Sequence, residues 1–392
     1  MGAWLLDRWT IALPRWLLGH AGLALGLFLF SVLLFVLGAL HVFYWFVLIP
    51  LMIIPIILRQ RHLRELLSRY LFSPLLPKDG MAWYGYVAFA IAALILCIGL
   101  AQSVTIYPKG FDALNFYANI PKLTAEGHGL VHGFRPHAWS LIQSIGYTAF
   151  DSPEVAHMLS SVGGFLVPLI VYYIGCKQLG FSPAQTFLAI CAFVTIPAYT
   201  TQLSHELKID LPLLYLQLVC LSLLLHHLTR GDDRRVLYLI AILLGFCLTI
   251  KITSFLLIFG LLVAMWYREG KTGLPMAMFC FILSAILFLR IDRFSGLDYL
   301  IGGRYIYASL LVLIGIVVSL NHALADRHYI LRRVKQSILI VVIAGAIYTP
   351  WAVKNVIECD SPSFDCVLNG APHSLRMTIK DLKDNYQSSL GQ

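Results

Sequence analysis

Tyr107-Pro-Lys-Gly-Phe-Asp-Ala-Leu-Asn-Phe-Tyr117 opens a polar run that reaches Ser152 inside an otherwise very apolar chain. Over about 45 residues the run carries Lys109, Asp112, Lys122, Glu126, three histidines and Arg135. Apolar stretches lie on both sides of it, each close to the ~20 residues a helix needs to cross a bilayer. The run therefore belongs at one membrane face, and an acid just after a span, in a long loop rich in aromatics and glycine, is where chemistry is expected.

Composition extends that reading to the whole chain. Of 392 residues, 59% are hydrophobic and 12% charged, and the mean hydropathy is +0.78, far from soluble domains. A spanning chain must satisfy its backbone internally, so the expected fold class is an all-α polytopic membrane protein. The formal charge of +9 comes from short basic clusters between spans. That is a topology signal, so no nucleic-acid partner is expected; the partner implied is the lipid bilayer.

Outward from the polar run, the first apolar block, 17–58, has Arg8 and Arg15 before it and Arg59, Arg61, Arg64 and Arg69 after it. Basic residues at both ends predict a hairpin turning near Gly38-Ala-Leu-His41. It reads as a retained anchor rather than a cleaved leader. A span at 82–104 delivers the Asp112 loop to the outer face; spans at 157–175, 184–203 and 211–229 follow. Residues 236–267 are too long for one crossing and predict two short helices turning at Thr249-Ile-Lys-Ile-Thr-Ser254. Spans at 274–289, 304–320 and 336–350 complete about eleven, with 17 Lys/Arg inward and 12 outward. The domain plan is an N-terminal hairpin and linker (1–81), a transmembrane core (82–350) with its outer loop (105–156), and an outward tail (351–392).

The eight cysteines form no zinc or CxxC pattern. Cys97, Cys176, Cys191, Cys220, Cys247 and Cys280 fall in or beside spans and read as core residues. Cys359 and Cys366 stand in the polar tail, where an oxidising compartment permits but does not require pairing; an amphipathic helix is expected near 374–386.

Several charged groups distant in sequence land on the outer face: Asp112, the Ser204-His-Glu-Leu-Lys-Ile-Asp210 cluster, Lys251, and Arg290, Arg293 and Arg304. Glu206 and Asp210, four apart, would share a face on a helix. Ionisable groups at membrane depth are costly and usually mark function, whereas interfacial caps and snorkelling side chains are the structural alternative. Lys251 inside an apolar run is expensive unless paired. A carboxylate beside cations in a lipid-lined cavity suits group transfer from a phosphate-linked lipid: cations hold the phosphate and the carboxylate takes the acceptor's proton. A phosphate leaving group needs no second acid, and a single displacement inverts the sugar carbon. Glu206 or Asp210 leaves a hard divalent cation, Mg or Mn, open. His128 and His132, with Gly127, Gly129 and Gly133 around them, read as a loop rather than a metal site. His226 and His227 suit a helix C-terminus.

The segments in this order resemble the polytopic GT-C glycosyltransferases that use polyprenyl-phosphate sugars, in the branch of protein O-mannosyltransferases and lipid A aminoarabinose transferases. Phe111-Asp-Ala-Leu-Asn-Phe-Tyr117, Pro121-Lys-Leu and Gly127 resemble the family's first outer loop, and Arg135-Pro-His-Ala-Trp139 to Asp151-Ser-Pro-Glu-Val-Ala156 the passage before its next span. Ser204 to Leu213 resembles its second outer acidic site, Gly245 to Thr253 its Gly-x-x-x-Leu-Thr-Lys turn, and Thr349-Pro-Trp-Ala-Val-Lys-Asn355 its late-span exit. The family's second acid directly after the first is Ala113 here. The resemblance implies Asp112 as base, Glu206 and Asp210 as second acidic site, and Lys251 as a donor-side cation; from the charge pattern, Arg290, Arg293 and Arg304 join Lys251 as expected donor-phosphate contacts. Tyr117, Arg135 and His137 are expected as acceptor or loop contacts, the acceptor being a lipid, glycan or protein. A bacterial inner membrane is expected, or an ER membrane in a eukaryote. A transporter or flippase for a lipid-linked or small polar substrate is the rival, but it usually shows paired half-repeats, and none is visible.

Overall fold

The computed structural model describes residues 2–58, 60, 80–105, 108, 110, 117–132, 136–230, 233–267, 273–288, 304–323 and 327–359. Among them the chain is helical, with no strand. The helices are α1 (Gly2–Arg8), α2 (Arg15–Ala39), α3 (Trp45–Leu58), α4 (Trp83–Thr105), α5 (Asn119–Glu126), α6 (Ala138–Phe150), α7 (Pro153–Tyr173) and α8 (Pro183–Val194). There follow α9 (Pro197–Ser204), α10 (Asp210–Arg230), α11 (Arg234–Ile250), α12 (Phe255–Met265), α13 (Gly273–Phe288), α14 (Arg304–Ala323) and α15 (Arg327–Cys359).

Five stretches are long and apolar enough to cross a membrane: α2, α4, α7 with its C-terminal extension to Gln178, α10 and α15. Together α8 and α9 also qualify, bent by 70°; shorter apolar helices are Trp45–Leu58, Ile252–Met265, Gly273–Ser284 and Ala308–Val318. Large apolar side chains on the outside, such as Val36, Ile57, Leu94, Leu313 and Val342, would burden a water-soluble chain but suit one surrounded by lipid tails. This is the architecture of a helical integral membrane protein.

Local sequence sets the helix starts. Ser152 caps α7, its Oγ accepting from Val155 N at 3.2 Å, with Pro153 in the first turn, where its missing N–H costs nothing. Ser182 and Gln185 form a reciprocal capping box on α8, and Asp233 caps α11. The main core is built by α2, α6, α7, α10, α11 and α12, with Ile340, Ala344 and Trp351 from α15. Along α11, Leu237, Leu239, Ile240, Leu243 and Leu244 are fully buried, so this helix is apolar all round, as a central helix must be. Gly245 lets α15 approach closely: a Cβ there would stand 3.0 Å from Ala344 O and 2.8 Å from Ile347 Cβ.

Contacts sort the helix ends into two sets. At one end, Leu130 N bonds Gly38 O at the end of α2 and Phe43 N bonds His128 O. The C-terminal ends of α11 and α15 and the N-terminal end of α10 belong here too, through Lys251–Asp210 and His132–Glu358. At the opposite end, Arg235 bonds Thr10, His226 bonds Ala12 O, and Trp266 bonds Ser337 in the first part of α15. Hence α11 and α12 run in opposite directions, as expected for residues 236–267, and the break falls at Lys251, whose backbone is extended (φ −151°, ψ 123°). Near Gly38 to His41, where a hairpin is expected, α2 ends at Ala39 and His41 takes φ +55°; beyond the turn α3 packs on α6.

Three expectations need correction. The stretch 184–203 is not one straight span, because the residue before Pro197 is driven out of helical geometry (Ile196, ψ 126°). The 105–156 region is not only loop: α6 lies within it, and Ala138 to Gly146 are all buried. The cysteines are not uniformly core: Cys220, Cys247 and Cys280 are buried, Cys176 and Cys191 half-buried, and Cys97 exposed on the outward side of α4. The amphipathic helix near 374–386 and the partner Cys366 lie outside the described residues.

Candidate functional site

The site is built on the non-helical link between α9 and α10. His205 N and Glu206 N both return to Thr201 O, at 2.9 and 3.0 Å, which ends α9 and turns the chain. Beyond this the sequence alternates: Leu207 and Ile209 are buried while Glu206, Lys208 and Asp210 point away from the core. Two apolar anchors at a spacing of two present the three charges together. This corrects the expectation that Glu206 and Asp210 share a helical face: only Asp210 is helical, as the first residue of α10.

Both acids are held by lysines. Lys208 Nζ donates to Glu206 Oε2 at 2.7 Å, and Lys251 Nζ to Asp210 Oδ1 at 2.6 Å. The second pair joins the start of α10 to the end of α11. A negative group at a helix N-terminus and a positive one at a C-terminus each suit the local dipole, so two antiparallel helices favour this arrangement twice. The pair is about one-third exposed (32% and 34%), which limits its worth to something between exposed and buried ion pairs. The partner that Lys251 requires is therefore Asp210.

The loop that opens at Tyr107 comes to the same place. Gly110, at φ +107°, lies against Glu206: a Cβ would stand 2.9 Å from Glu206 Oε1, so the carboxylate would have to shift. Seven residues on, Tyr117 and Ala118 pack with Leu207, Ala156 and Tyr147 in a small apolar cluster. Thus the described residues on both sides of 111–116 rest on neighbouring positions of the link, Glu206 and Leu207. Beneath, on α7, His157 is fully buried and faces His205 and the carbonyls of Gln202 and Ser103. A lone histidine in an apolar span is too weak a sign to single it out from sequence.

Among the remaining expected residues, His137 is buried with its ring edge-on to Trp351, centroids 4.8 Å apart. Arg304 opens α14. Asp112, Arg135, Arg290 and Arg293 lie outside the described residues. His128 and His132 do not converge: His128, at φ +50°, stacks on Tyr44 at 4.1 Å, while His132 bonds Glu358. Glu206 and Asp210 each hold an ammonium, that of Lys208 and of Lys251, which a divalent cation there would have to face or displace. Among the described residues no three His, Cys, Asp or Glu groups gather as a ligand set.

No family model, no curated protein and no solved structure matches the chain.

Proposed function

We propose that this chain is an integral-membrane, inverting glycosyltransferase of GT-C type, moving a sugar from a polyprenyl-phosphate carrier to an acceptor hydroxyl. The supporting observation is the convergence at the α9–α10 link. Gly110 and Tyr117 sit on Glu206 and Leu207, and Asp112 stands between them in the sequence. Two ammonium groups and two carboxylates are already collected there.

In this reading the acceptor oxygen attacks the anomeric carbon as the bond to the carrier phosphate breaks, and Asp112 takes the hydroxyl proton. One displacement inverts the carbon. Lys251 has three N–H donors and gives one to Asp210; the others serve phosphate oxygens, with Arg290, Arg293 and Arg304 as further donors. Asp210 then acts as the positioning residue for Lys251. About eleven spans accompany this reading, with the α9–α10 link on the outer or lumenal face of a bacterial inner membrane or an ER membrane.

The test is transfer of labelled sugar from a panel of polyprenyl-phosphate sugars into membranes holding wild type or Asp112→Asn at equal expression. A base contributes ~10²- to 10⁴-fold, so the variant is expected to lose at least that first factor of a hundred. Equal transfer by both proteins would remove Asp112 from the mechanism. A wild type inert with every donor would remove the glycosyltransferase reading.

A further inference from the structure

A second polar cluster lies at the same end of the bundle, between the C-terminal ends of α2 and α15. It surrounds a cavity of about 280 Å³ with Phe35, Val353 and Ile357 on its apolar side and His132, Lys354 and Glu358 on its polar side. We propose that this cavity binds the phosphoethanolamine headgroup of a membrane phospholipid, Lys354 holding the phosphate and Glu358 the amine.

The argument starts from Lys354. Its side chain is only 6% exposed, yet it belongs to a helix whose neighbouring Val353 and Ile357 are exposed apolar residues (49% and 76%). An ammonium carries three N–H donors. Among the described residues one acceptor meets it, Glu358 Oε2 at 2.7 Å. Two donors are thus buried beside a cavity, where unmet polar groups are costly. Phosphate oxygens at that position satisfy both by charge-assisted bonds.

Glu358 decides between headgroups. Its carboxylate, 14% exposed, takes Lys354 on one oxygen and His132 Nδ1 on the other at 3.1 Å. A purely anionic headgroup would meet its repulsion, whereas a zwitterion places its own ammonium there. The surroundings give the depth. Trp45 and Phe46, both exposed, follow the turn after α2, and aromatic side chains of this kind collect at the headgroup level. On the apolar side of the cavity, Val353 and Ile357 are exposed and offer a surface for acyl chains. This site does not involve Asp112 or the Asp210–Lys251 pair, and it stands or falls independently of the proposed transfer activity.

The experiment is lipid retention by the purified, delipidated full chain, read by native mass spectrometry. The probes are phosphatidylethanolamine, phosphatidylglycerol (phosphate without amine) and soluble phosphoethanolamine. Wild type is expected to retain phosphatidylethanolamine at least tenfold better than either of the others. Lys354→Met should reduce that retention at least tenfold, Glu358→Gln should erase the preference over phosphatidylglycerol, and Lys122→Met, at a 59% exposed side chain, should change neither. Ala39 also lines the cavity, and Ala39→Leu narrows it without removing either member of the ion pair, so this variant carries the test if Lys354→Met fails to fold. Unchanged retention in Lys354→Met or Ala39→Leu overturns the site. Equal retention of phosphatidylglycerol overturns the role of Glu358, and equal retention of soluble phosphoethanolamine overturns the membrane source.

Discussion

The two ends of the helix bundle carry charge in different ways. At the end holding Arg8, Lys177, Arg230, Arg235 and Arg333, cations predominate, and the contacts of Arg235 and Arg333 are with backbone or neutral groups. Arg235 donates to Thr10 O and Oγ1, and Arg333 to Gln336 at 2.8 Å. At the other end acids and bases are mixed, and among the described residues every ion pair is found there: Lys122–Glu126, His132–Glu358, Lys208–Glu206, Lys251–Asp210 and Lys354–Glu358. Two of these join elements far apart in sequence. A basic end with few acids is what the positive-inside rule expects of a cytoplasmic face. Mixed charge that converges from several helices does not serve orientation, and it carries the candidate chemistry.

The sharpest way to break this comparison is to ask which end meets the outside. In a background lacking the eight native cysteines, Lys122→Cys and Lys177→Cys place one thiol at each end. A membrane-impermeant maleimide applied to intact cells should label the first fully and the second only after permeabilisation. The reverse pattern would put the candidate site in the cytoplasm, out of reach of an outward-facing donor.

The next largest effect is expected at Gly110. Its φ is +107°, and a Cβ added there would stand 2.9 Å from the Glu206 carboxylate oxygen, so Gly110→Ala strains the backbone and pushes on the acid. Strain of this kind is of order 1–3 kcal/mol, which corresponds to roughly a tenfold to hundredfold loss of transfer if it falls on the reacting geometry. Labelled-sugar transfer at matched expression would read it. Undiminished transfer would show that the contact between loop and link is incidental.

At the mixed end, the Asp210–Lys251 pair can be weighed by a double-mutant cycle. Asp210→Asn and Lys251→Met should each destabilise, and together by less than their sum. A coupling of about 1–2 kcal/mol in detergent unfolding is expected, inside the ~0.5–3 kcal/mol seen for contacting residues and below the buried limit because both side chains are one-third exposed. Strict additivity would mean that the two charges do not interact in solution.

How much of this is legible in the sequence differs from residue to residue. The sidedness of the charges and the break at Lys251 can be read because bilayer thickness and the positive-inside rule act on short, local sequence. The bend before Pro197 is also written locally, in the restriction proline places on the residue ahead of it, but the apolar run hides it. For Glu206 to Asp210 the spacing of the acids suggests a helical period where the period is two, and Leu207 and Ile209 carry that signal. The contact of Gly110 with Glu206, the burial of His157 and the cluster of Lys354 with His132 are tertiary facts. They join positions up to 226 residues apart, and no window along the chain contains both partners.

The smallest expected effect is also the control that gives the others meaning. Arg235 lies at the basic end, is exposed, and donates to Thr10 O at 2.9 Å and to Thr10 Oγ1 at 2.6 Å. Both acceptors have access to water, so their loss is compensated and Arg235→Ala should shift stability by no more than about 0.5 kcal/mol. Sugar transfer and phosphatidylethanolamine retention should be unchanged, because orientation is set by the whole basic end and one charge among many is dispensable to it. Thermal unfolding and the two activity readouts on the same preparation check this. If Arg235→Ala instead lowered transfer as far as Gly110→Ala, the division between an orienting end and a working end would fail, and the basic end would have to be read as part of the site.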